Sequence, residues 1–225
     1  MPLLSVIVPV YNEENTIRQI IEKVRCVNID KEIIIVDNSS TDGTHEILRD
    51  LRYDNLKIIY HSTNRGKGAS FMTGLSNASG EYVITQDADL EYDPNDYLAL
   101  FEAIKNGEAD LVLGARFFKG YHGLLMHRAG NRFLTFALNF LFGADLNDYA
   151  TCYKLARREV FNSLGLKAAS FDIDVEIICK ALRRGLRIKE AHASYRPRSY
   201  REGKKIRFGD AFQAIFAMLK YRLGG

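Results

Sequence analysis

Three carboxylates follow one predicted strand of the chain at a spacing that favours a cation site. Residues 82–86 are rich in strand-forming side chains, and Asp87, Asp89 and Glu91 follow at alternate positions. Because alternate residues of an extended chain point to one side, we expect these carboxylates to converge just beyond the strand. In an open α/β sheet ligands bind at that edge, and clustered oxygen ligands favour Mg²⁺ or Mn²⁺. A solvated acidic turn would show the same pattern.

Further acidic side chains follow the first two predicted strands, and a glycine-rich loop follows the third. Glu13 comes just after the first strand and Asp37 ends the second. Carboxylates in a row along one edge repel each other, so they favour a cation or hydrogen-bond donors from a ligand. Asp37 suits a nucleotide base or a ribose hydroxyl, and equally a turn cap. The loop 64–68 places Lys67 between two glycines, which suits a phosphate and equally a plain tight turn.

The first half of the chain alternates between apolar runs and helical periodicity, which predicts a parallel, doubly wound α/β sheet. The predicted strands are 3–10, 32–36, 56–60, 82–86 and 110–114, and the predicted helices are 13–24, 44–51, 69–77 and 93–105. The second half is less regular. It predicts short strands at 153–156 and 187–195 and helices at 158–164, 172–182 and 206–223.

Composition and charge are those of an ordinary globular protein of 225 residues with a net charge of +3. Basic residues cluster between residues 183 and 207, which suits phosphate, nucleic acid or an anionic membrane. The three cysteines lack metal-ligand spacing and indicate reduced thiols in a cytosolic protein. A predicted strand starts at residue 3, so we expect no signal peptide, and no apolar run reaches the roughly 18 residues of a membrane span.

Five motifs, in this order and spacing, resemble family 2 glycosyltransferases with the GT-A fold. They are PVYNEEN (9–15), VDNSSTDGT (36–44), NRGKGAS (64–70), DADLEYDP (87–94) and GARF (114–117). The chain is most similar to the branch that contains dolichyl-phosphate mannose synthases and polyprenyl-phosphate sugar synthases.

The resemblance implies an α/β GT-A (Rossmann-like) fold, with a mostly parallel sheet flanked by helices and a C-terminal helical and loop region on the acceptor side. We expect a single domain, 1–225. In it, residues 1–117 form the half that binds the nucleotide-sugar, and residues 118–225 form the acceptor-binding half.

The resemblance also implies roles for individual residues. The candidate nucleotide-binding residues are Pro9, Tyr11, Glu13, Asp37 and Asp87, to which the glycine-rich loop adds Lys67. The candidate metal ligands are Asp87, Asp89 and Glu91, the last at a position where that branch often has Gln. The candidate catalytic residues are Asp89, Arg116, Arg128, Arg132 and Arg198. Of these, the arginines at 116, 128 and 132 stand where the branch binds the lipid phosphate, and Arg198 lies in a segment (196–206) similar to its basic C-terminal segment.

The implied activity is an inverting transfer of a sugar from a GDP- or UDP-sugar to a polyprenyl or dolichyl phosphate, with Mg²⁺ or Mn²⁺. A lipid monophosphate has its second pKa near 6, so at neutral pH it is mostly dianionic and needs no general base. A saccharide hydroxyl, the alternative acceptor in cell-surface polysaccharide synthesis, needs a base, and no His follows the acidic pair at an obvious spacing. A lipid acceptor implies peripheral association with the cytoplasmic face of a membrane. The apolar stretches 133–142 and 208–219 either lie in that interface or simply cover the sheet.

Two other classes of protein are weaker interpretations. A nucleotidyltransferase would need a glycine- and lysine-rich signature after the first strand, where PVYNEEN stands instead. A nucleic-acid-binding module would explain the basic cluster but leaves the acidic edge unexplained. We therefore expect no nucleic-acid partner.

Overall fold

Seven strands form one mostly parallel sheet, as the sequence predicts. The computed structural model describes residues 1–116, 125–198 and 209–224, and the side chains of 125–128 and 209–212 are outside this description. The strands are β1 (Leu4–Val10), β2 (Lys31–Asp37), β3 (Leu56–Tyr60), β4 (Tyr82–Thr85), β5 (Leu111–Ala115), β6 (Lys154–Arg157) and β7 (Ile188–His192). Their order across the sheet is β3-β2-β1-β4-β6-β5-β7. Strand β6 runs antiparallel to both of its neighbours, and the remaining pairs are parallel.

Helices cover both faces of this sheet. They are α1 (Ile17–Cys26), α2 (Thr44–Asp50), α3 (Lys67–Ser76), α4 (Tyr97–Lys105), α5 (Leu125–Phe142), α6 (Arg158–Ser163), α7 (Ile173–Arg183) and α8 (Gly209–Leu223), with a 3₁₀ turn at Pro94–Asp96. Among the described residues, no helix is both long and apolar enough to cross a bilayer. Part of the predicted helix 206–223 lies outside the described residues, and the described part begins at Gly209.

Helix α1 shows why the predicted elements form and where their limits differ. Ile17, Ile20, Ile21 and Val24 are buried at helical spacing, so this face packs on the sheet. The prediction that the helix starts at Glu13 is wrong, because residues 13–16 form a separate turn. The carbonyl oxygen of Glu13 accepts from the amides of both Thr16 (3.1 Å) and Ile17 (2.9 Å). Glu13 therefore stays at the edge of the sheet.

The side chains of each strand divide between two hydrophobic cores. In β1, Val6 and Val8 point to the core shared with α1, α2 and α4. Ile7 points to the opposite core, which α3, α5, α7 and α8 cover. Strands buried on both faces are typical of doubly wound sheets and explain the continuous apolar runs.

The strand order creates a crevice at the carboxyl ends of β1 and β4. Strand β1 lies between β2 and β4. The chain therefore passes from β1 to β2 and β3 on one side, and then returns to add β4 on the other side. At such a switch point the loops diverge and leave a ligand-binding crevice. The loops after β1, β2 and β4 contain Glu13, Asn38 and Asp87, and all three line one cavity.

Candidate active site

The loop after β4 presents Asp87 and Asp89, but not through the strand alternation that the sequence suggested. Strand β4 ends at Thr85, and residues 88–89 form a turn. Leu90 has a positive φ of 63°, a conformation that a leucine rarely adopts. The amide of Glu91 then donates to Oδ1 of Asp89 at 3.1 Å. A strained turn therefore brings the carboxylates to the crevice.

Arg198 joins two of the carboxylates across this edge of the sheet. Its Nη1 donates to Glu13 Oε2 at 2.9 Å, and its Nη2 donates to Asp89 Oδ2 at 3.1 Å. Glu91 fixes the segment that bears Arg198, because its Oε1 accepts from the Arg198 amide at 2.7 Å. Its Oε2 accepts from the Tyr195 hydroxyl at 2.9 Å. Residues from opposite ends of the chain thus meet in one charged cluster.

Lys67 provides a second cation beside the acidic pair. It is the first residue of α3, and its Nζ lies 2.8 Å from Asp87 Oδ1 and 3.3 Å from Asp174 Oδ2. Burial acts to lower the pKa of Lys67, but the charges of Asp174 and Asp87 outweigh it and raise this pKa well above its ordinary value. The ammonium is therefore charged throughout the physiological pH range.

The electrostatic environment of Asp89 is strongly negative even with Arg198 in contact. Burial raises the pKa of Asp89 to about 7. The carboxylates of Asp87 and Glu91 add to this rise, whereas Arg198 opposes it. Ionised Asp89 therefore lacks full compensation, and a cation bound beside it would relieve this cost.

No three acidic, histidine or cysteine side chains among the described residues are grouped to hold a metal by themselves. Asp87, Asp89 and Glu91 each have a polar partner within the protein, as described above. Mg²⁺ nevertheless binds through one or two carboxylates when substrate phosphates complete its shell. The donor set at this edge fits a cation shared with a phosphate ligand.

All candidate nucleotide-binding residues except Asp37 line a cavity of about 410 Å³ at the switch point. Pro9, Tyr11, Glu13, Lys67 and Asp87 line it, together with Arg198 and residues of α3 and α7. Arg198 also borders a second cavity of about 880 Å³ between α1 and the segment 194–198. The Glu13–Arg198–Asp89 bridge therefore separates two openings.

Asp37 is buried and acts at least as a turn cap. Its Oδ1 accepts from the Ser40 amide at 3.0 Å, and His45 Nδ1 lies 3.3 Å from its Oδ2. The neighbouring Asn38 accepts from the Arg65 amide at 2.8 Å and so ties the glycine-rich loop to the end of β2. The capping interpretation of Asp37 is confirmed, and its contact with a nucleotide stays a prediction.

The arginines predicted to bind an acceptor phosphate lie in different environments. Arg116 follows β5 and forms a two-point contact with buried Asp148, with Nε and Nη2 each 2.7 Å from a carboxylate oxygen. It lines the 410 Å³ cavity, and its guanidinium lies 5.0 Å from the centre of the Tyr195 ring. Arg132 is exposed on α5. Arg128 is one turn earlier on α5, and its side chain lies outside the described residues.

Sequence reasoning missed several residues that organise this site. It assigned no role to Asp148, Lys154, Asp174 or Tyr195. A lysine within the short apolar strand β6 was a usable signal, because a buried ammonium requires a carboxylate partner. Which carboxylate it contacts depends on how α7 packs, and the local sequence does not contain that information.

Fold and site together define a GT-A-type α/β protein. Its acidic crevice lies at the switch point of the sheet, and Lys67 and Arg198 contact the carboxylates there. A glucosyl-3-phosphoglycerate synthase from Mycobacterium tuberculosis, solved with Mn²⁺, UDP-glucose and phosphoglyceric acid, has the same fold. It superposes with a TM-score of 0.74 at 23% identity, over 98% of this chain and 80% of that chain. The predicted fold class is confirmed.

The chain belongs to glycosyl transferase family 2, whose family model matches residues 5–165. It is 30% identical to a low-salt glycan biosynthesis hexosyltransferase of Haloferax volcanii, over 97% of this chain and 53% of that protein. It is 29% identical to a dolichol-phosphate mannosyltransferase of Pyrococcus furiosus, over 79% of this chain and 52% of that protein. The chain thus spans about half the length of these two relatives. The predicted resemblance to the branch with dolichyl-phosphate mannose synthases is confirmed.

Proposed function

We propose that this chain is a metal-dependent, inverting glycosyltransferase that moves a sugar from a GDP- or UDP-sugar to a polyprenyl or dolichyl phosphate. The observation that carries the proposal is the crevice in which Glu13, Asp87 and Asp89 meet Lys67 and Arg198. In this proposal residues 1–117 bind the donor and residues 118–225 bind the acceptor, within one domain.

On the donor side, the loops after β1, β2 and β4 would hold the nucleotide. Pro9 and Tyr11 line the cavity and would contact the base and ribose. Asp37 ends β2 next to Asn38, which lines the cavity, and would accept from the nucleotide there. Lys67, held beside Asp87, would contact the nucleotide from the N-terminus of α3. Backbone amides at a helix N-terminus further favour an anionic ligand.

Asp89 would hold Mg²⁺ or Mn²⁺, with Asp87 and Glu91 beside it. When bound, such a cation neutralises the charge that develops on the departing nucleoside diphosphate. The raised pKa of Asp89 supports this assignment, since burial leaves its ionised form short of positive charge. Arg198 would donate charge-assisted hydrogen bonds to the same diphosphate from the position it holds beside Glu13.

A lipid phosphate is the acceptor that these residues support best. No histidine among the described residues lines either cavity, and this proposal assigns the carboxylates of the crevice to the cation, to Lys67 and to Arg198, which leaves none of them as the general base that a sugar hydroxyl needs. A dianionic phosphate needs no such base. In the proposal Arg116, Arg128 and Arg132 hold this phosphate in line with the anomeric carbon and limit its repulsion from the donor.

Exposed apolar side chains on α5 and α8 support peripheral binding to the cytoplasmic face of a membrane. Phe133, Phe136 and Phe140 lie on α5 at helical spacing and are 61–80% exposed. On α8, residues 216, 219 and 223 repeat this spacing with Phe and Leu and are 42–87% exposed. The exposed basic residues Arg132, Lys220 and Arg222 lie on the same two helices and suit anionic headgroups.

The activity is tested with radiolabelled GDP- and UDP-sugars, Mn²⁺ and either polyprenyl phosphate or an oligosaccharide as acceptor. We expect label in the lipid extract with wild-type protein and at least roughly a hundredfold less with Asp89→Ala. Asp145→Ala changes an exposed carboxylate in another loop and serves as the control. Label in the oligosaccharide alone would favour the polysaccharide alternative. Wild-type turnover by Asp89→Ala would contradict the role of Asp89.

Membrane binding is tested by sedimentation with vesicles that contain phosphatidylglycerol. We expect Phe136→Ser/Phe140→Ser to bind roughly a hundredfold to ten-thousandfold more weakly, because each of the two buried phenyl rings contributes about 1.5–3 kcal/mol. Leu98→Ser removes an exposed apolar side chain of α4, which lies on the other face of the sheet, and should bind normally. Equal losses in the two variants would exclude α5 as the contact surface.

A further inference from the structure

Four charged side chains of alternating sign form a row from the protein interior to the 410 Å³ cavity, here called the nucleotide cavity. Lys154 Nζ lies 2.7 Å from Asp174 Oδ1, and Asp174 Oδ2 lies 3.3 Å from Lys67 Nζ. Lys67 Nζ in turn lies 2.8 Å from Asp87 Oδ1. The chain begins on β6, passes through the first turn of α7 and ends at the loop after β4. Because Lys67 begins α3, these side chains connect four elements that are distant in sequence.

The inner end of this chain is fixed. Lys154 is 0% exposed and also donates to the Thr151 carbonyl oxygen. A buried ammonium is stable only when its hydrogen bonds and its charge are satisfied, so Lys154 holds Asp174 in one place. Asp174 then presents its second oxygen to Lys67 without freedom to rotate away.

The backbone that bears Lys67 is fixed against the same part of the protein. The Ala69 amide donates to the Ala169 carbonyl oxygen at 3.0 Å. A Cβ atom on Gly66 would lie 2.3 Å from that oxygen, and one on Gly68 would lie 2.1 Å from the Ala168 oxygen. Only glycine permits this close approach, so the start of α3 is pressed onto the segment before α7.

We propose that Asp174, held by Lys154, is a positioning residue that keeps the ammonium of Lys67 in the nucleotide cavity. The inference rests on the proposed function, in which Lys67 contacts the donor nucleotide. An ammonium has three N–H donors, and the contacts with Asp87 and Asp174 use two of them. These two contacts therefore fix the direction of the third N–H donor, which would otherwise vary with the rotamers of the lysine side chain.

This arrangement also gives Asp87 and Asp89 different roles. Lys67 balances the charge of Asp87, so Asp87 acts mainly on the side of the nucleotide. Asp89, whose protein partner is Arg198 at the other side of the crevice, is left to the cation. Without Asp174, Lys67 would be held by Asp87 alone and could move around that single contact, so the separation of these two roles would be weakened.

The experiment measures binding of UDP and GDP in the presence of Mn²⁺ by isothermal titration calorimetry. The test variant is Asp174→Asn/Lys154→Met, which removes both inner charges together and keeps the Lys67–Asp87 contact. Removing Asp174 alone would leave Lys154 buried without a counter-ion, so any loss of binding could then come from a loss of folding. The control is Asp110→Asn, which breaks the ion pair with Arg187 at the opposite edge of the sheet.

We expect the double variant to bind the nucleoside diphosphate roughly tenfold to hundredfold more weakly than the wild type, the loss of one charge-assisted hydrogen bond. The KM for the nucleotide-sugar should rise in parallel, while the KM for the acceptor stays unchanged. Asp110→Asn should match the wild type. A lower melting temperature with wild-type nucleotide affinity would mean a structural role alone and would overturn the proposal.

Two further outcomes are decided by the same titrations. If the double variant does not fold, Asp174→Glu keeps the charge but lengthens the side chain by one methylene group in a packed site. We expect it to lose affinity about threefold to tenfold, and wild-type affinity would overturn the proposal. If the wild type binds no nucleoside diphosphate, both the proposed function and this inference fail. If it binds and the variants bind equally well, only the role of Asp174 fails.

Discussion

Replacing Asp89 with asparagine should stabilise the metal-free protein at alkaline pH while it removes the response to metal. Burial raises the pKa of Asp89 from its ordinary 3.8 to about 7 in the folded state. The folded protein therefore binds this proton more tightly than the unfolded chain does. The stabilisation is fully present below about pH 4 and is lost as the pH rises through about 7. Asparagine does not titrate and removes this dependence.

The size of the effect follows from the same shift. A pKa that moves from 3.8 to about 7 corresponds to about 4 kcal/mol at 1.36 kcal/mol per unit of pKa. The side chain is 17% exposed, so solvent screens part of its charge, and we expect about half of this value, roughly 2 kcal/mol. For a protein of this size that equals a difference in melting temperature of roughly 4–8 °C.

The assay is urea or thermal unfolding in EDTA at pH 5 and pH 8, repeated at pH 8 with Mn²⁺ and a nucleoside diphosphate. Asp89→Asn should be more stable than the wild type at pH 8 in EDTA, and this advantage should be clearly smaller at pH 5. With Mn²⁺ and nucleotide, only the wild type should gain stability through ligand binding. The control Asp145→Asn, at an exposed position, should follow the wild type at both pH values. Parallel loss of stability in wild type and Asp89→Asn between pH 5 and 8 would refute the reasoning.

Two other predictions concern packing around the site. Gly68→Ala places a methyl group 2.1 Å from the backbone oxygen of Ala168, so it should destabilise the protein by roughly 1–3 kcal/mol and weaken nucleotide binding. Gly130→Ala, whose added methyl meets no atom within 4 Å, should not destabilise, and equal losses on urea unfolding would contradict the explanation. Asp148→Ala removes the buried carboxylate that contacts the Arg116 guanidinium at 2.7 Å and should cost about 3–5 kcal/mol, and a loss below about 1 kcal/mol would contradict this.

The fold class was predictable because local patterns dominate it. Strand β3 coincides with the predicted 56–60. The ends of β1, β2 and β5 lie within one residue of the predicted ends. Apolar runs buried on both faces and helices with one apolar stripe require a layered α/β arrangement. Limits were less predictable where a local turn competes with a helix, as it does at Glu13.

The tyrosines and the antiparallel strand illustrate what local patterns omit. The Tyr92 ring lies between those of Tyr153 and Tyr195, with ring centres 4.8 Å and 5.1 Å apart and the rings tilted to each other. Strand β6 enters between β4 and β5 in the opposite direction and brings the Tyr153 ring to that position. Strand direction depends on the long connections of the second half, which have no repeating pattern.

By itself, the sequence determined which side chains could do chemistry, since ordered motifs place carboxylates after three strands and glycines before α3. The tertiary structure alone decided which charges meet: Arg198 with Glu13 and Asp89, and Asp174 with Lys67. The physical reason is that an ion pair depends on distances of a few ångströms, and each of these contacts joins residues more than 100 positions apart in the chain. Such distances follow from packing against the sheet, and no local pattern encodes them.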